Sequence, residues 1–268
     1  MLGRARSLIA LASVARCGAL QIPSTPFDAK RLILVRHGSV DRAAHDPPVK
    51  PDALYGGNLE VPLSEKGKQE AMAAANLIAD FAKANMPDGV QYVATSPMER
   101  ARYGAEAIAE ALQPHTIGRM TVTDYDMFRE LDRGNWVGLT PAEIAERHGE
   151  DAFERCARED DFGRLVAKGE GMGDLRKRVL EQRDALLGSV PPGRAAVIVS
   201  HLWVTRALIG DVTGERDPLA IDIPTASVSV VDYPADGGAP TVVSTGFKPA
   251  LSKEDEERLA DVKLEAET

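Results

Sequence analysis

The run Arg31-Leu32-Ile33-Leu34-Val35-Arg36-His37-Gly38 constrains the fold more than any other stretch of the chain. Four branched apolar residues bounded by charge form a buried parallel strand, and open α/β sheets bind ligands just beyond the carboxyl ends of their strands. Arg36 and His37 stand at that edge, with His37 as the candidate nucleophile. A second run, Ala195 to Val199, has the same character and closes on Ser200-His201. If these strands are neighbours, both imidazoles reach one crevice.

Strands and helices alternate between the two runs. Ser64 opens a helix with Ala71, Ala74, Ala75, Ile78, Phe81 and Ala82 at helical spacing, ending before Pro87-Asp88-Gly89. Tyr92-Val93-Ala94 is a strand, and Ser96-Pro97-Met98-Glu99 combines a cap, a first-turn proline and an acid, so a helix is expected from Pro97. Arg100 then falls in its first turn. Thr121 to Thr123 is a brief strand, Thr140-Pro141-Ala142-Glu143 starts another helix, 152–168 is expected to be helical, and Asp174 to Leu187 is a clear helix. A helix leaves the second histidine over Leu202 to Val212, followed by strands at Val228 to Val231 and Val242-Val243. This alternation implies an α/β fold, a mostly parallel sheet covered on both faces.

Ser39 to Leu63 is too rich in proline and glycine for a helix and too long for a simple connector, which makes it part of a substrate mouth. The organisation expected is an N-terminal targeting or disordered segment over 1–28, one domain over 29–248, and a charged helix or tail over 249–268, where 3 basic residues face 7 acidic ones from Ser252 onward.

At a formal charge of -9 and with no basic block interleaved with aromatics, the chain does not suit nucleic acid, and an anionic ligand needs a local basic pocket. Cys17 and Cys156 form neither a CxxC nor a metal-spaced Cys/His pair, so no disulfide framework, metal or other cofactor is indicated. No apolar run reaches the roughly 20 residues of a spanning helix. Before Asp28 the only charges are arginines, Arg4, Arg6 and Arg16, which fits a mitochondrial presequence. A secretory signal over Leu8 to Ala15 and an unstructured cytoplasmic extension compete with that reading. A homodimer is compatible with the sequence, which does not disclose the oligomeric state.

Two imidazoles and two guanidiniums at one sheet edge suit a tetrahedral dianion, because phosphoryl transfer asks the protein mainly to position the group and neutralise its charge. A neutral His37 can attack phosphorus and form a phosphohistidine. The departing alkoxide then needs a general acid, and 41 carboxyl side chains offer no choice by composition alone.

The ordered blocks Arg36-His37-Gly38, Gly57 to Gly67, Ser96-Pro97-Met98-Glu99-Arg100-Ala101, Arg129-Glu130-Leu131 with Gly134 to Leu139, and Val199-Ser200-His201 resemble the histidine phosphatase superfamily, the phosphoglycerate-mutase-like enzymes. The resemblance spans Arg31 to about Tyr233. It implies a three-layer α/β/α sandwich and a small phosphorylated substrate, with no metal. It also implies His37 as the phosphorylated nucleophile, Arg36 and Arg100 on the phosphoryl oxygens, His201 opposite, and Glu130 as proton donor. The backbone of Leu202 would touch the phosphoryl group, and Gly56 and Gly57 would border the substrate. The chain departs from the family pattern at Ser39 to Arg42, at Glu60, at Gly104 and at Leu202-Trp203-Val204, where a side chain at Leu202 would crowd the phosphoryl site unless it turns away. The basic residues over 140–173 are interleaved with acids rather than gathered for a second phosphate, which favours a phosphatase over a mutase. A non-catalytic phospholigand-binding protein on this fold is the third reading.

Overall fold

The computed structural model describes residues 28–266 apart from 58, 87–88 and 116–118, so the expected targeting segment lies outside the described residues except for Asp28. Side chains alternate across a strand, and that alternation builds the layers. β1 (Ala29–Arg36) sends Ile33 and Val35 to one face and Leu32 and Leu34 to the other. β4 (Ala195–Ser200) divides Val197 and Val199 from Ala196 and Ile198 in the same way. α1 (Glu65–Asn85) and α2 (Glu99–Leu112) cover the first face, while α5 (Met172–Ser189) and α6 (Leu202–Thr213) cover the second. The result is the expected three-layer α/β/α sandwich. Each large aliphatic side chain sealed in it contributes about 1.5–3 kcal/mol.

The remaining strands are β2 (Val90–Thr95), β3 (Val122–Asp124), β5 (Val228–Pro234) and β6 (Thr241–Phe247), in the sheet order β3-β2-β4-β1-β5-β6. β3, β2, β4 and β1 run parallel, whereas β5 is antiparallel to β1 and β6 to β5. The chain moves from β1 outward to β2 and β3, returns to β4, and then crosses to β5. β1 and β4 therefore flank the point where strand order reverses, the usual location of a ligand crevice.

Arg31, which reads as a charge bounding the first strand, is fully buried and paired bidentately with Asp232 of β5 at 2.7 Å through Nε. The Ser64 cap and the Thr140 capping box form as expected, the latter starting α3 (Pro141–His148). Two expected helices differ. α2 begins at Glu99 rather than Pro97, with Met98 as its cap, because the Ser96 hydroxyl faces His201 instead of closing a helical turn. Residues 152–168 break into α4 (Ala152–Arg158) and a separate turn, Gly163–Ala167. The helix stops where Glu159 turns extended (φ -94°, ψ 133°), and Gly163 opens the separate turn against the Glu170 carbonyl, 2.4 Å from where a Cβ would sit. The charged C-terminal segment contains α7 (Lys253–Ala266), which packs on α1. Among the described residues no helix is long and apolar enough to cross a membrane.

Candidate active site

β1 and β4 pair in register, Arg36 opposite Ser200, so the residues that follow each strand are brought together. The His37 N–H donates to Ser200 O at 3.0 Å, and the two imidazoles meet edge to face with ring centroids 5.1 Å apart. Both rings are buried. Gly38 is required here: a Cβ would lie 2.1 Å from Gly67 O, because the chain leaving β1 runs in backbone contact with the start of α1.

Hydrogen bonding fixes the tautomer of the His37 imidazole. His37 Nδ1 lies 2.7 Å from Gly38 O, and since a carbonyl can only accept, Nδ1 carries the proton and Nε2 keeps its lone pair. His201 Nε2 lies 2.8 Å from Ser96 Oγ, while its Nδ1 is buried without a hydrogen-bond partner. Burial, and then the Arg100 and Arg36 guanidiniums, hold the His37 imidazole well below the ordinary histidine range, against the smaller opposing pull of Gly38 O. His201 is lowered in the same way, by burial first and then by Arg100, His37 and Arg36. Both rings are thus neutral at neutral pH.

The arginines are held by carbonyls. Arg36 donates one terminal nitrogen to Ile223 O at 2.7 Å, and Arg100 donates its two to Leu59 O and Gly56 O at 2.8 Å each. The Nε of each is buried without a partner. Two buried N–H donors with no acceptor, Arg36 Nε and Arg100 Nε, and the unpartnered His201 Nδ1 therefore accompany His37. An unsatisfied buried donor costs about 1–3 kcal/mol, so such a group is suited to an anion that supplies several acceptors. Among the described residues no cluster of three or more His, Cys, Asp or Glu is placed to hold a metal ion.

Glu130 sits on the loop after a short turn, Asp126–Phe128, with its carboxyl buried. Oε1 accepts from the N–H of Leu131 at 2.9 Å and from that of Trp203, in the first turn of α6, at 3.2 Å. Gly56 and Gly57 bind to the same loop. Gly57 N donates to Leu131 O at 3.0 Å, and a Cβ on Gly57 would come within 2.3 Å of Glu130 O. Gly56 has φ +49°, a left-handed conformation that suits glycine. Because Gly56 O is also an acceptor for Arg100, these two glycines connect the arginine to the acid loop.

His37, His201, Arg36, Arg100, Glu130, Gly56 and Gly57 thus form one connected region. Leu202 follows His201 at the start of α6, and its side chain packs into the apolar cluster beneath the sheet, so the feared crowding does not occur. Glu60 caps α2 by accepting from Glu99 N at 3.1 Å. Several contributing residues escape sequence reasoning. Ser96 was legible only as a helix cap. Arg178 of α5 lies 48 residues from Glu130, yet it donates to the carbonyls of Met127, Arg129 (2.8 Å) and Glu130 (3.5 Å) and pairs with Glu170. Trp203 has two guanidiniums against its ring, those of Arg133 and Arg206, each 4.9 Å from the ring centroid.

The sequence profile of the histidine phosphatase superfamily (branch 1) matches residues 32–245. A bifunctional protein of Mycobacterium tuberculosis is 29% identical over 255 residues, which is 91% of this chain and 63% of that protein. This chain therefore spans about 63% of the length of the mycobacterial relatives it matches. Phosphoserine phosphatase 1 of Hydrogenobacter thermophilus is 30% identical over 181 residues, covering 66% of this chain and 74% of the relative. A solved structure described as mycobacterial hydrolase 2 superposes with a TM-score of 0.71 at 20% identity, covering 87% of this chain and 97% of that one, a likeness of fold.

Proposed function

Because this chain belongs to the histidine phosphatase superfamily, we propose that it hydrolyses a small phosphate monoester through a phosphohistidine on His37. The observation that carries the reading is the set of unpartnered buried nitrogens, Arg36 Nε, Arg100 Nε and His201 Nδ1, gathered with an imidazole whose Nε2 keeps its lone pair.

In this mechanism the phosphoryl group accepts from those nitrogens and from the N–H of Leu202 at the N-terminus of α6, where the helix dipole also favours negative charge. His37 Nε2 attacks phosphorus as the bond to the leaving oxygen breaks, and protonated Glu130 gives its proton to that oxygen, releasing the alcohol. The phosphoimidazole keeps its Nδ1–H on Gly38 O. Glu130, now a carboxylate, takes a proton from water as the water oxygen attacks phosphorus, and inorganic phosphate leaves with His37 restored. Ser96, donating to His201 Nε2, keeps the other ring nitrogen protonated toward the phosphoryl oxygens.

Hydrolysis is favoured over mutase chemistry by what the arginines of α4 and the following turn are doing. Arg155 pairs with Glu159, Arg158 with Glu154 and Asp217, and Arg164 with Asp161. Lys50, across from α3, pairs with Glu143. They are committed at the surface rather than poised over a second phosphate.

The test is a chase with a labelled phosphate ester, quenched in alkali where phosphohistidine survives. Label on His37 together with release of inorganic phosphate is expected. Isomerised ester without phosphate release would establish the mutase instead, and active enzyme carrying no label on His37 would remove the proposal.

A further inference from the structure

A second cavity opens on the α5–α6 face, and none of Arg36, His37, Arg100, Glu130 and His201 lines it. It is a cleft of about 520 Å³ between α5, α6 and the turn that follows α6. Sites for small organic ligands run from roughly 300 to 1,000 Å³. Gly214 ends α6 in the left-handed region at φ +73° and turns the chain, which places Glu215 and Arg216 on the cleft wall. Met172, Leu180 and Ala207 supply an apolar lining from the two helices.

The charges around the cleft do not cancel. Asp160 pairs with Arg176, Asp211 with Arg183, and Arg158 with Glu154 and Asp217. Glu215 turns to the backbone, its Oε1 accepting from the N–H of Asp217 at 2.8 Å. Two guanidiniums are left over. Arg216 is exposed and bonds to none of the described residues. Arg206 donates Nε to Ile221 O at 2.9 Å and lies against the Trp203 ring, which holds its fork in place. Its two terminal nitrogens also bond to none of the described residues. Burial and then Arg36 lower the basicity of Arg206, against the smaller pull of Glu130 and Asp222, so the fold leaves that charge only partly compensated.

We propose that this cleft is a second ligand site, separate from the phosphoryl centre, for an organic phosphate with an apolar body up to the size of a mononucleotide. The phosphate accepts from the Arg206 and Arg216 forks, whose planar donors match its oxygens. The apolar body lies along Met172, Leu180 and Ala207, where it removes surface from water. A ligand there rests on the two helices that support the Glu130 loop, α6 through the N–H of Trp203 and α5 through Arg178.

The probes are adenosine 5′-monophosphate, adenosine and inorganic phosphate, titrated calorimetrically into the full chain carrying His37→Ala, so that turnover through His37 does not consume the ester. The monophosphate should bind the cleft, and adenosine and inorganic phosphate should each bind it at least about tenfold more weakly, because each lacks half of what the cleft recognises. Adding Arg216→Glu should weaken the monophosphate at the cleft by at least about tenfold, and the neutral Arg216→Ser should weaken it less. With His37 intact, Arg216→Glu should leave kcat and KM for p-nitrophenyl phosphate within about twofold of the parent, which separates the cleft from the phosphoryl centre and from any loss of fold. Monophosphate binding indifferent to Arg216→Glu would place the ligand elsewhere and overturn the proposal. Adenosine binding as tightly as its monophosphate would overturn it too, by removing the role of the two guanidiniums. The titrations do not depend on turnover, so a chain that binds in this way but hydrolyses nothing would remove the phosphatase reading and leave the second site standing.

Discussion

The side of the site that carries the two histidines is made of sheet, whereas the side that carries the proposed acid, Glu130, is made of loop. His37 and His201 each follow directly on a strand, and β1 and β4 fix their separation through a continuous parallel ladder. Glu130 has no such frame. Its loop is held by the backbone of Gly57, the N–H of Trp203 and the Arg178 guanidinium, three contacts from three distant parts of the chain. Many parallel backbone bonds tolerate the loss of one; three converging contacts do not. The sheet side should therefore change chemistry when its own side chains change, and the loop side should also lose activity to substitutions that never touch substrate.

The sharpest break between the two sides is expected from Glu130→Gln. An alkyl phosphate, whose alkoxide needs a proton, should lose about 10² to 10⁴ in kcat, while p-nitrophenyl phosphate should be far less affected. Steady-state assays on the two ester types decide it, and equal losses would assign the proton to another group. Arg178→Met comes next. Misplacing a catalytic group by about 1 Å can cost on the order of 10²-fold, so a loss up to that size is expected, again larger for alkyl than for aryl esters. A uniform loss would make Arg178 a general structural residue.

The histidines give a third, intermediate effect. Both stay neutral when folded well below the ordinary histidine range, so below about pH 6.5 the unfolded chain binds more protons than the native one. Stability should fall as pH drops from about 6.5 toward 5, without the gain a paired imidazolium would bring. Thermal melts across that range should show the slope, inorganic phosphate should reduce it by favouring protonation in the site, and His37→Asn should flatten it.

This difference between the two sides also decided what could be read in the sequence. Apolar runs such as Leu32 to Val35 and Ala195 to Val199 carry their own pattern, so these strands and the two histidines at their ends were legible, whereas the order of strands in the sheet was not. The convergence of Arg36 and Arg100 followed from helix and strand ends. Glu130 emerged only through the resemblance, since nothing local distinguishes its loop from other charged loops. Arg178, Trp203 and Arg206 were not legible as parts of the site, because each acts through a carbonyl, an amide or a ring that only the folded chain brings near. Arg31 shows the same limit inside the sheet: a charge at a strand boundary carries no sign that Asp232, 201 residues away, will bury and pair it.

The smallest expected effect tests whether the sheet side is as self-sufficient as its ladder suggests. Glu70 of α1 is buried, accepts from the N–H and hydroxyl of Ser39 at 2.8 Å each, and pairs with Lys248 at 2.7 Å, joining the loop after His37 to the segment after β6. Burial raises the Glu70 carboxyl, but the Lys248 and Ser39 hydrogen bonds outweigh it and leave the group below the ordinary carboxylate range. The contribution is therefore present above about pH 4.3 and lost as pH falls through the lower folded value. Lys248→Met removes the counter-charge, and because that ammonium is itself partly solvated the cost should be only about 1 kcal/mol. In a chain of this size that lowers Tm by roughly 2–4 °C, visible at neutral pH and absent in acid where Glu70 is protonated. If the ladder alone positions His37, kcat for p-nitrophenyl phosphate should stay within about twofold of the parent, as expected for a contact whose loss is confined to stability. A larger fall in kcat at unchanged KM would mean that the nucleophile, like the acid, depends on a distant side chain, and the contrast between sheet and loop would then be one of degree.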